Sequence, residues 1–241
     1  MKIVEAVWEK RNLGVVCKEI TFEAHDSLED LSGIKALVEH TEYLVVKVPT
    51  LRYDLNQAIA AMGLSFIEVS IHFELMLKNA LLSGLQTRLN NSITYAEMEV
   101  RDLELLFDEI RDGMFASDRI LLDPAFTSEQ AANRYIHWIQ DEIQRGAQVY
   151  KILHKNQSVG FFTFKEIKEG IYYPFLAGMY KAFAASGLGF TTLRKPIDEA
   201  IRRGGQMIST YTSSNNLPVV RAHIQQGFSI SGMYYVFIKH N

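Results

Sequence analysis

Apolar positions along this chain switch repeatedly between a spacing of two and a spacing of three to four, the mark of strands alternating with helices. Residues 3–8 and 14–23 read as two short strands. A helix follows, opened by Asp26 or Ser27 with Glu29 and Asp30 in its first turn, and its buried face carries Leu28, Leu31, Ile34, Leu37 and Val38. Residues 43–48 form the next strand. Leu51, Leu55, Ile59 and Met62 mark a second helical face stopped by Gly63, and residues 65–75 make a long strand. Residues 77–94 then interrupt the alternation with Ser83-Gly84 and Asn90-Asn91-Ser92, which places a domain boundary there and divides the chain into 1–90 and 91–241.

The second unit opens with a strand at 93–100 and a helix at 102–114. A polar connection holding Asp118-Arg119 and Asp123-Pro124 leads to a helix at 128–146, on which Ala131, Tyr135, Trp138 and Ile139 share a face. Lys155-Asn156-Gln157 is a hairpin signal between strands at 147–154 and 158–165. The aromatic run at 171–180 is of strand length. Beyond it lie Ser186-Gly187-Leu188-Gly189 and a helix marked by Phe190, Leu193, Ile197 and Ile201, ended by Arg202-Arg203-Gly204-Gly205. A strand at 206–211, a short helix from Asn216-Leu217-Pro218 to Gly227-Phe228 and a strand at 229–239 complete the pattern. The helix ending at Gly63 with its following strand echoes the helix ending at Gly227 with its own. On that echo the first unit is a reduced copy of the second, or both have converged on a common helix stop.

Composition narrows the function classes. Of 241 residues, 48% are hydrophobic, enough for one large core or two small ones, and the net charge of −3 gives no general affinity for nucleic acid or an anionic membrane. Cys17 is the only cysteine, which excludes an intrachain disulfide and a cysteine-based zinc site, and no metal is expected. The first residues lack a secretion pattern and no apolar stretch reaches bilayer length, so a soluble, cytoplasmic protein is expected.

The glycine turn at 186–189 is the stretch with chemical content. Two glycines before a helix let a ligand approach the backbone amides, and the unpaired N–H groups of a first helical turn suit phosphate. A plain strand-to-helix turn would look the same. Dinucleotide binding would need a third glycine where Thr192 stands, and a nucleotide-triphosphate loop would need Gly-Lys followed by Ser or Thr.

The order of elements in the second unit, with Gly187-Leu188-Gly189 before one helix and Asn215-Asn216 before the helix ending at Gly227-Phe228, resembles the GNAT family of acetyl-coenzyme A-dependent N-acetyltransferases over residues 95–241. Within it the chain is similar to the dTDP-fucosamine acetyltransferase type, through Trp8-Glu9-Lys10-Arg11-Asn12-Leu13-Gly14 near the start and through Asp118-Arg119-Ile120 with Asp123-Pro124. The resemblance implies an α/β (α+β) protein, with a mixed, mostly antiparallel central sheet flanked by helices and a smaller reduced GNAT-like domain in front. Acetyl-CoA would be the co-substrate and a small-molecule amine, in the leading case a nucleotide-linked amino sugar, the acceptor; a homodimer is one state it allows. Two rival readings are a coenzyme A-binding or partner-binding module without turnover, and acyl transfer from a carrier protein.

Residue by residue, the resemblance assigns oxyanion donors to the backbone of Leu176, Ala177, Gly178 and Met179, and pyrophosphate to the amides of Ser186, Gly187, Leu188, Gly189 and Phe190. Asn215 or Asn216 would contact the pantetheine arm. His223 is the candidate proton donor to the departing thiolate, with Tyr211 and Tyr234 or Tyr235 as competitors. Arg119 and Arg134 would pair with acceptor phosphates, and Tyr135 or Trp138 would stack on the acceptor. Glu166, His154 and His137 are conceivable bases, none of them singled out. The chain departs from the family pattern at Ala184, where Gln or Arg is usual, at Ser186, where a basic residue is frequent, and at His223, where many members carry tyrosine.

Overall fold

The computed structural model describes residues 1–241. Its first elements are β1 (Lys2–Glu5), α1 (Trp8–Leu13), β2 (Cys17–Thr21), a 3₁₀ segment at Leu28–Ile34 running into α2 (Lys35–His40), β3 (Tyr43–Pro49), α3 (Tyr53–Ala61) and β4 (Ser65–Met76). Next come α4 (Gly84–Asn91), β5 (Ile93–Glu97), α5 (Val100–Arg111), α6 (Arg119–Leu122), α7 (Ser128–Gln144), β6 (Gln148–His154), β7 (Gln157–Lys168), β8 (Ile171–Tyr173) and β9 (Ala177–Met179). The chain finishes with α8 (Thr191–Arg202), β10 (Met207–Ser213), α9 (Leu217–Gln225) and β11 (Ser229–His240).

The strands join in one mixed, mostly antiparallel sheet of order β1-β2-β3-β11-β4-β10-β8-β7-β6-β5, with β9 lying on β7. Its parallel pairs are β2 with β3 and β8 with β10. The centre of the sheet is an exchange. The last strand, β11, pairs with β3 from Tyr43↔His240 to Pro49↔Tyr234, while β4 pairs with β10 from Ser70↔Ser213 to Met76↔Met207. β4 and β11 then pair antiparallel with each other. The two segments that echo in sequence, α3 with β4 and α9 with β11, therefore meet at the middle of the sheet. Each helix stops alike, at a glycine in the left-handed region, Gly63 at φ 80° and Gly227 at φ 87°.

Alternation along the strands sorts side chains onto two layers. Val46, Val48 and Phe237 pack with Leu55 and Ile59 of α3, and Phe73, Leu75 and Ile208 pack with Ile197 of α8, all buried. On the opposite face Phe161 packs with Ile136 and Ile139 of α7 and Leu106 and Ile110 of α5. The hairpin between β6 and β7 turns on Lys155 and Asn156, both at positive φ, 49° and 64°, as a tight two-residue turn requires.

Several elements differ from the sequence expectation. The residues between the first two strands form α1, which carries buried Glu9 and Leu13, so β1 and β2 are shorter than the apolar pattern suggests. The 77–94 stretch contains α4, started by a capping box in which Ser83 and Gln86 satisfy each other's backbone N–H groups. The run at 171–180 is divided. Pro174 has no N–H to donate, and its carbonyl accepts the Thr210 hydroxyl at 3.0 Å, so the chain leaves β10 after β8 and resumes as β9 on β7 alone. No helix is long and apolar enough to cross a membrane.

Candidate active site

The division at Pro174 opens the sheet. β8 and β10 pair at Met207↔Ile171 and Ile208↔Tyr172, after which β10 follows β4 and β9 follows β7. A cleft of about 780 Å³ occupies the gap. Tyr211 and Ser213 of β10 stand opposite His72 and Ser70 and share their face, whereas Thr210 and Thr212 share the face of Phe73 and Ile71. All four β10 residues line the cleft, so it passes through the sheet from one face to the other. Thr192, Leu193 and Pro196 of α8 and Asn216, Val219 and His223 border it on one face. Glu68, Ser70 and Tyr234, with Arg119 of α6 and Arg134 and Tyr135 of α7, border it on the other.

The glycine loop stands at the N-terminus of α8, beside the first of these mouths. Gly187 has φ 77°, and Leu188 is buried as the loop's anchor in the core. The Ser186 N–H donates to Phe183 O and the Leu188 N–H to Ser186 Oγ, so Ser186 shapes the loop instead of supplying a cation. The N–H groups of Gly187, Gly189 and Phe190 donate to nothing within the protein. A methyl group built on Gly187 or Gly189 would meet no atom within 4 Å, so the loop has open space on its Cβ side.

The strand nominated for the oxyanion divides by its own alternation. Thr163 N–H donates to Leu176 O at 2.8 Å and Tyr180 N–H to Val159 O at 3.0 Å, and the Leu176 N–H donates to Thr163 Oγ1 at 2.7 Å. In an antiparallel pair this turns the backbone of Leu176 and Gly178 toward β7 and that of Ala177 and Met179 toward the gap. Leu176 and Gly178 therefore have no free amide for a ligand. Gly178 is small for another reason: a methyl group there would lie 2.6 Å from Met114 Sδ. Asn216 lines the cleft and caps α9 by accepting the Val219 N–H, whereas Asn215 bonds Ser213 Oγ outside the lining.

His223 is 2% exposed and stacked on Phe73 with centroids 4.6 Å apart. Its Nδ1 lies 2.8 Å from the Val219 carbonyl, which can only accept, so Nδ1 carries the proton and Nε2 presents a lone pair without a partner. Burial drives its pKa down to about 4, with the Val219 carbonyl opposing. At neutral pH this imidazole has no acidic proton for a thiolate, which corrects its assignment as proton donor. The same shift has a measurable sign: between pH 6.5 and 4 the unfolded chain takes up a proton at His223 that the native state refuses, so stability falls as pH is lowered through that window. We expect a loss on the order of 3 kcal/mol, and His223→Phe should remove most of it. Denaturant midpoints at several pH values would show this, and an unchanged slope in the variant would contradict it.

On the other face, Tyr211 is 49% exposed and stacked on His72 at 4.3 Å, with its hydroxyl free of protein partners and its pKa raised by burial, so it keeps its proton. Arg119 is bound into an ion-pair network through Nη2, while its Nε is buried without a partner. Its Nη2 reaches Glu19 at 2.6 Å and Glu9 at 3.4 Å, while Arg134 takes the same Glu9 oxygen at 2.8 Å and Lys47 takes Glu19 at 3.2 Å. Tyr135 packs on Phe115 at 4.4 Å, and burial followed by Asp118 raises its pKa well above the usual range. Glu166 accepts the Gly170 N–H in a turn, His137 bonds Asn12, and neither they nor His154 line the cleft.

Glu68 escapes the sequence reading altogether. It projects from β4 into the cleft, its Oε2 is buried without a hydrogen-bond partner, and burial raises its pKa while the Ser213 hydroxyl, Arg119 and Lys47 oppose and Asp118 adds to the rise. Its strand mates Ser70, His72 and Glu74 are also polar, and that one-sided polar stripe on a central strand is the signal that could have found it.

No protein-family model matches the sequence, and no curated protein matches it. Solved structures do match in shape. A GCN5-related N-acetyltransferase from Sphaerobacter thermophilus superposes with a TM-score of 0.58 at 12% identity over 82% of this chain and 59% of its own length. A conserved protein of unknown function from Staphylococcus epidermidis superposes with a TM-score of 0.60 at 13% identity, covering 94% of this chain and 84% of its own. A tandem GNAT protein from the clavulanic acid biosynthesis pathway does so at 0.55 and 12% identity, over 87% of this chain and 68% of its own. This chain thus spans about three fifths of the length of the Sphaerobacter protein. The likeness is one of fold: the chain has the GNAT fold.

Proposed function

We propose that this protein is an acetyl-CoA-dependent N-acetyltransferase acting on a primary amine of a small molecule. The observation that carries the reading is a cleft running through a splayed sheet, with three unpaired loop amides beside one mouth. Residues 91–241 form the transferase unit and residues 1–90 a reduced GNAT-like unit. The matching parallel pairs, β2 with β3 and β8 with β10, support that division, as do the matching helix-strand segments exchanged between the units.

Pyrophosphate lies on the amides of Gly187, Gly189 and Phe190, where helix-terminal N–H groups and the dipole favour an anion. The pantetheine arm runs past Asn216 and along the gap-facing edge of β9, and the Ala177 and Met179 N–H groups hold the acetyl oxygen as charge develops on it. The neutral amine attacks the thioester carbonyl carbon. A C–N bond forms, the C–S bond breaks, and its electron pair leaves on sulfur. Tyr211 gives its hydroxyl proton to that sulfur and recovers a proton from the acylated nitrogen. The acceptor reaches the carbonyl through the opposite mouth, and the nucleotide-linked amino sugar is one candidate class for it.

Calorimetric titration with acetyl-CoA, followed by thiol release on adding amines, tests the reading. Binding in the micromolar range and amine-dependent thiol release are expected. No binding at millimolar acetyl-CoA would overturn it.

A further inference from the structure

A polar cluster lies on the acceptor face of the sheet, beside the cleft but outside its lining. His72 stands on β4 directly opposite Tyr211 of β10. Its Nε2 lies 2.7 Å from Ser209 Oγ and its Nδ1 2.8 Å from Ser231 Oγ, and Glu74 Oε1 is 3.8 Å from Nε2. A serine hydroxyl can donate or accept, so the two serines clamp the ring in either tautomer.

Each clamp has a cause in the backbone. Ser209 precedes Tyr211 by two positions on β10, so the two side chains share a face. Ser231 has no such place in a regular ladder. Ile230 stands opposite Phe73 and Gly232 opposite His72, which leaves Ser231 as the extra residue of a β-bulge. A bulge re-aims a side chain, and this one sets a hydroxyl on Nδ1.

A ring held at both nitrogens presents a fixed plane. Tyr211 lies flat on it, with centroids 4.3 Å apart and planes 8° from parallel, and Tyr173 meets Tyr211 edge-on at 6.5 Å. Tyr211 is half-exposed, and without such walls a side chain of this kind would sample several rotamers. Tyr211 lines the cleft, whereas His72, Ser209 and Ser231 do not.

We infer that His72 is a positioning residue: clamped by Ser209 and Ser231, it holds the Tyr211 ring so that the hydroxyl stands at the cleft in one direction. It touches neither donor nor acceptor and transfers no proton. The inference rests on the acetyltransferase reading, in which Tyr211 gives its proton to the departing sulfur. A proton donor must come within about 2.6–3.2 Å of its target, and a misplacement of about 1 Å can cost about a hundredfold in rate. A tyrosine free to swing would spend much of its time out of reach. Because β4 is exchanged into the sheet beside β10, residues 1–90 supply the platform on which a tyrosine of residues 91–241 rests.

The test measures thiol release from acetyl-CoA with a panel of primary amines that includes glucosamine and diaminobutane. The nuclear magnetic resonance signal of the Tyr211 ring, identified by its loss in Tyr211→Phe, is followed in parallel. Tyr211→Phe should lower kcat about a hundredfold. His72→Ala should lower kcat about tenfold, with KM for acetyl-CoA and coenzyme A affinity within about twofold of wild type. It should also move the Tyr211 ring signal, which the stacked imidazole displaces in the wild type. In the Tyr211→Phe background His72→Ala should cost nothing more, because no hydroxyl is left to aim. His72→Phe keeps a flat ring against the tyrosine, and Ser231→Ala removes one clamp at an exposed position; each should lower kcat only about threefold. These two milder variants carry the test if His72→Ala does not fold. Unchanged kcat in the His72 and Ser231 variants, or a full loss from His72→Ala in the Tyr211→Phe background, would overturn the inference and leave the acetyltransferase reading intact. A wild type that releases no thiol with any amine of the panel would remove both.

Discussion

Gly187→Glu is expected to abolish the coenzyme A binding proposed above while the protein stays folded. At φ 77° a non-glycine residue costs about 1–2 kcal/mol, a strain the chain can absorb because a side chain there points into open space. The added carboxylate stands among the unpaired amides of Gly187, Gly189 and Phe190 and takes for itself the donors a pyrophosphate needs. It also adds like charge at contact distance. Together these should weaken coenzyme A by at least about a hundredfold, equivalent to roughly 2.7 kcal/mol. Calorimetry reads the affinity and a thermal scan verifies the fold. Affinity within a few-fold of wild type would mean that the loop is a turn and nothing more.

Arg119→Ala is the second large effect, and it acts on stability. Glu9 is fully buried, and it shares Arg119 with Glu19, the carboxylate that also holds Lys47. Breaking a buried network by deleting one member leaves uncompensated charge and costs about 3–5 kcal/mol. For a chain of this size that corresponds to a fall of roughly 10 °C in Tm. Arg11→Ala, which removes a half-exposed pair with Asp141, serves as the control, with an effect of at most about 1 kcal/mol. Burial alone would raise the Glu19 pKa, but Arg119, Lys47 and Arg134 hold it down at about 2. A depressed carboxylate stabilises the native state above its unfolded pKa of about 4.3 and loses that contribution as pH falls toward 2. The variant should therefore lose less stability than wild type between pH 5 and 2. Denaturant midpoints measure both effects, and a cost below about 1 kcal/mol would contradict the network's importance.

Much of the fold is legible from local pattern. The alternation of strands and helices, the two-residue turn at Lys155-Asn156 and the common stop at Gly63 and Gly227 are set by side chains close in sequence. Two smaller features carried local signals that the apolar pattern hides: the Ser83 and Gln86 capping box of α4, and Pro174, which divides a strand whose composition reads as continuous. The exchange of β4 and β11 carries none, because it depends on pairing between residues far apart along the chain.

The site follows the same rule. Gly187 and Gly189 advertise their loop, since the backbone shape they allow is a local property. His223 reads as a titrating group until Phe73 and the Val219 carbonyl are seen against its ring. Arg119 reads as a phosphate ligand until Glu9 and Glu19 fold onto it from the start of the chain. Glu68 has only the polar stripe of β4 as a local signal, because its neighbours in the cleft come from α6, α7 and β10.

The exchanged strands also set an order of events during synthesis. β3 leaves the ribosome long before its partner on one side, the stretch from Tyr234 to His240. Until then β3 has β2 beside it and an open edge of buried-type residues, Val45, Val46 and Val48, awaiting cover. As it emerges, β3 thus lacks one of its neighbours, and β11 later covers β3 and β4 in one step.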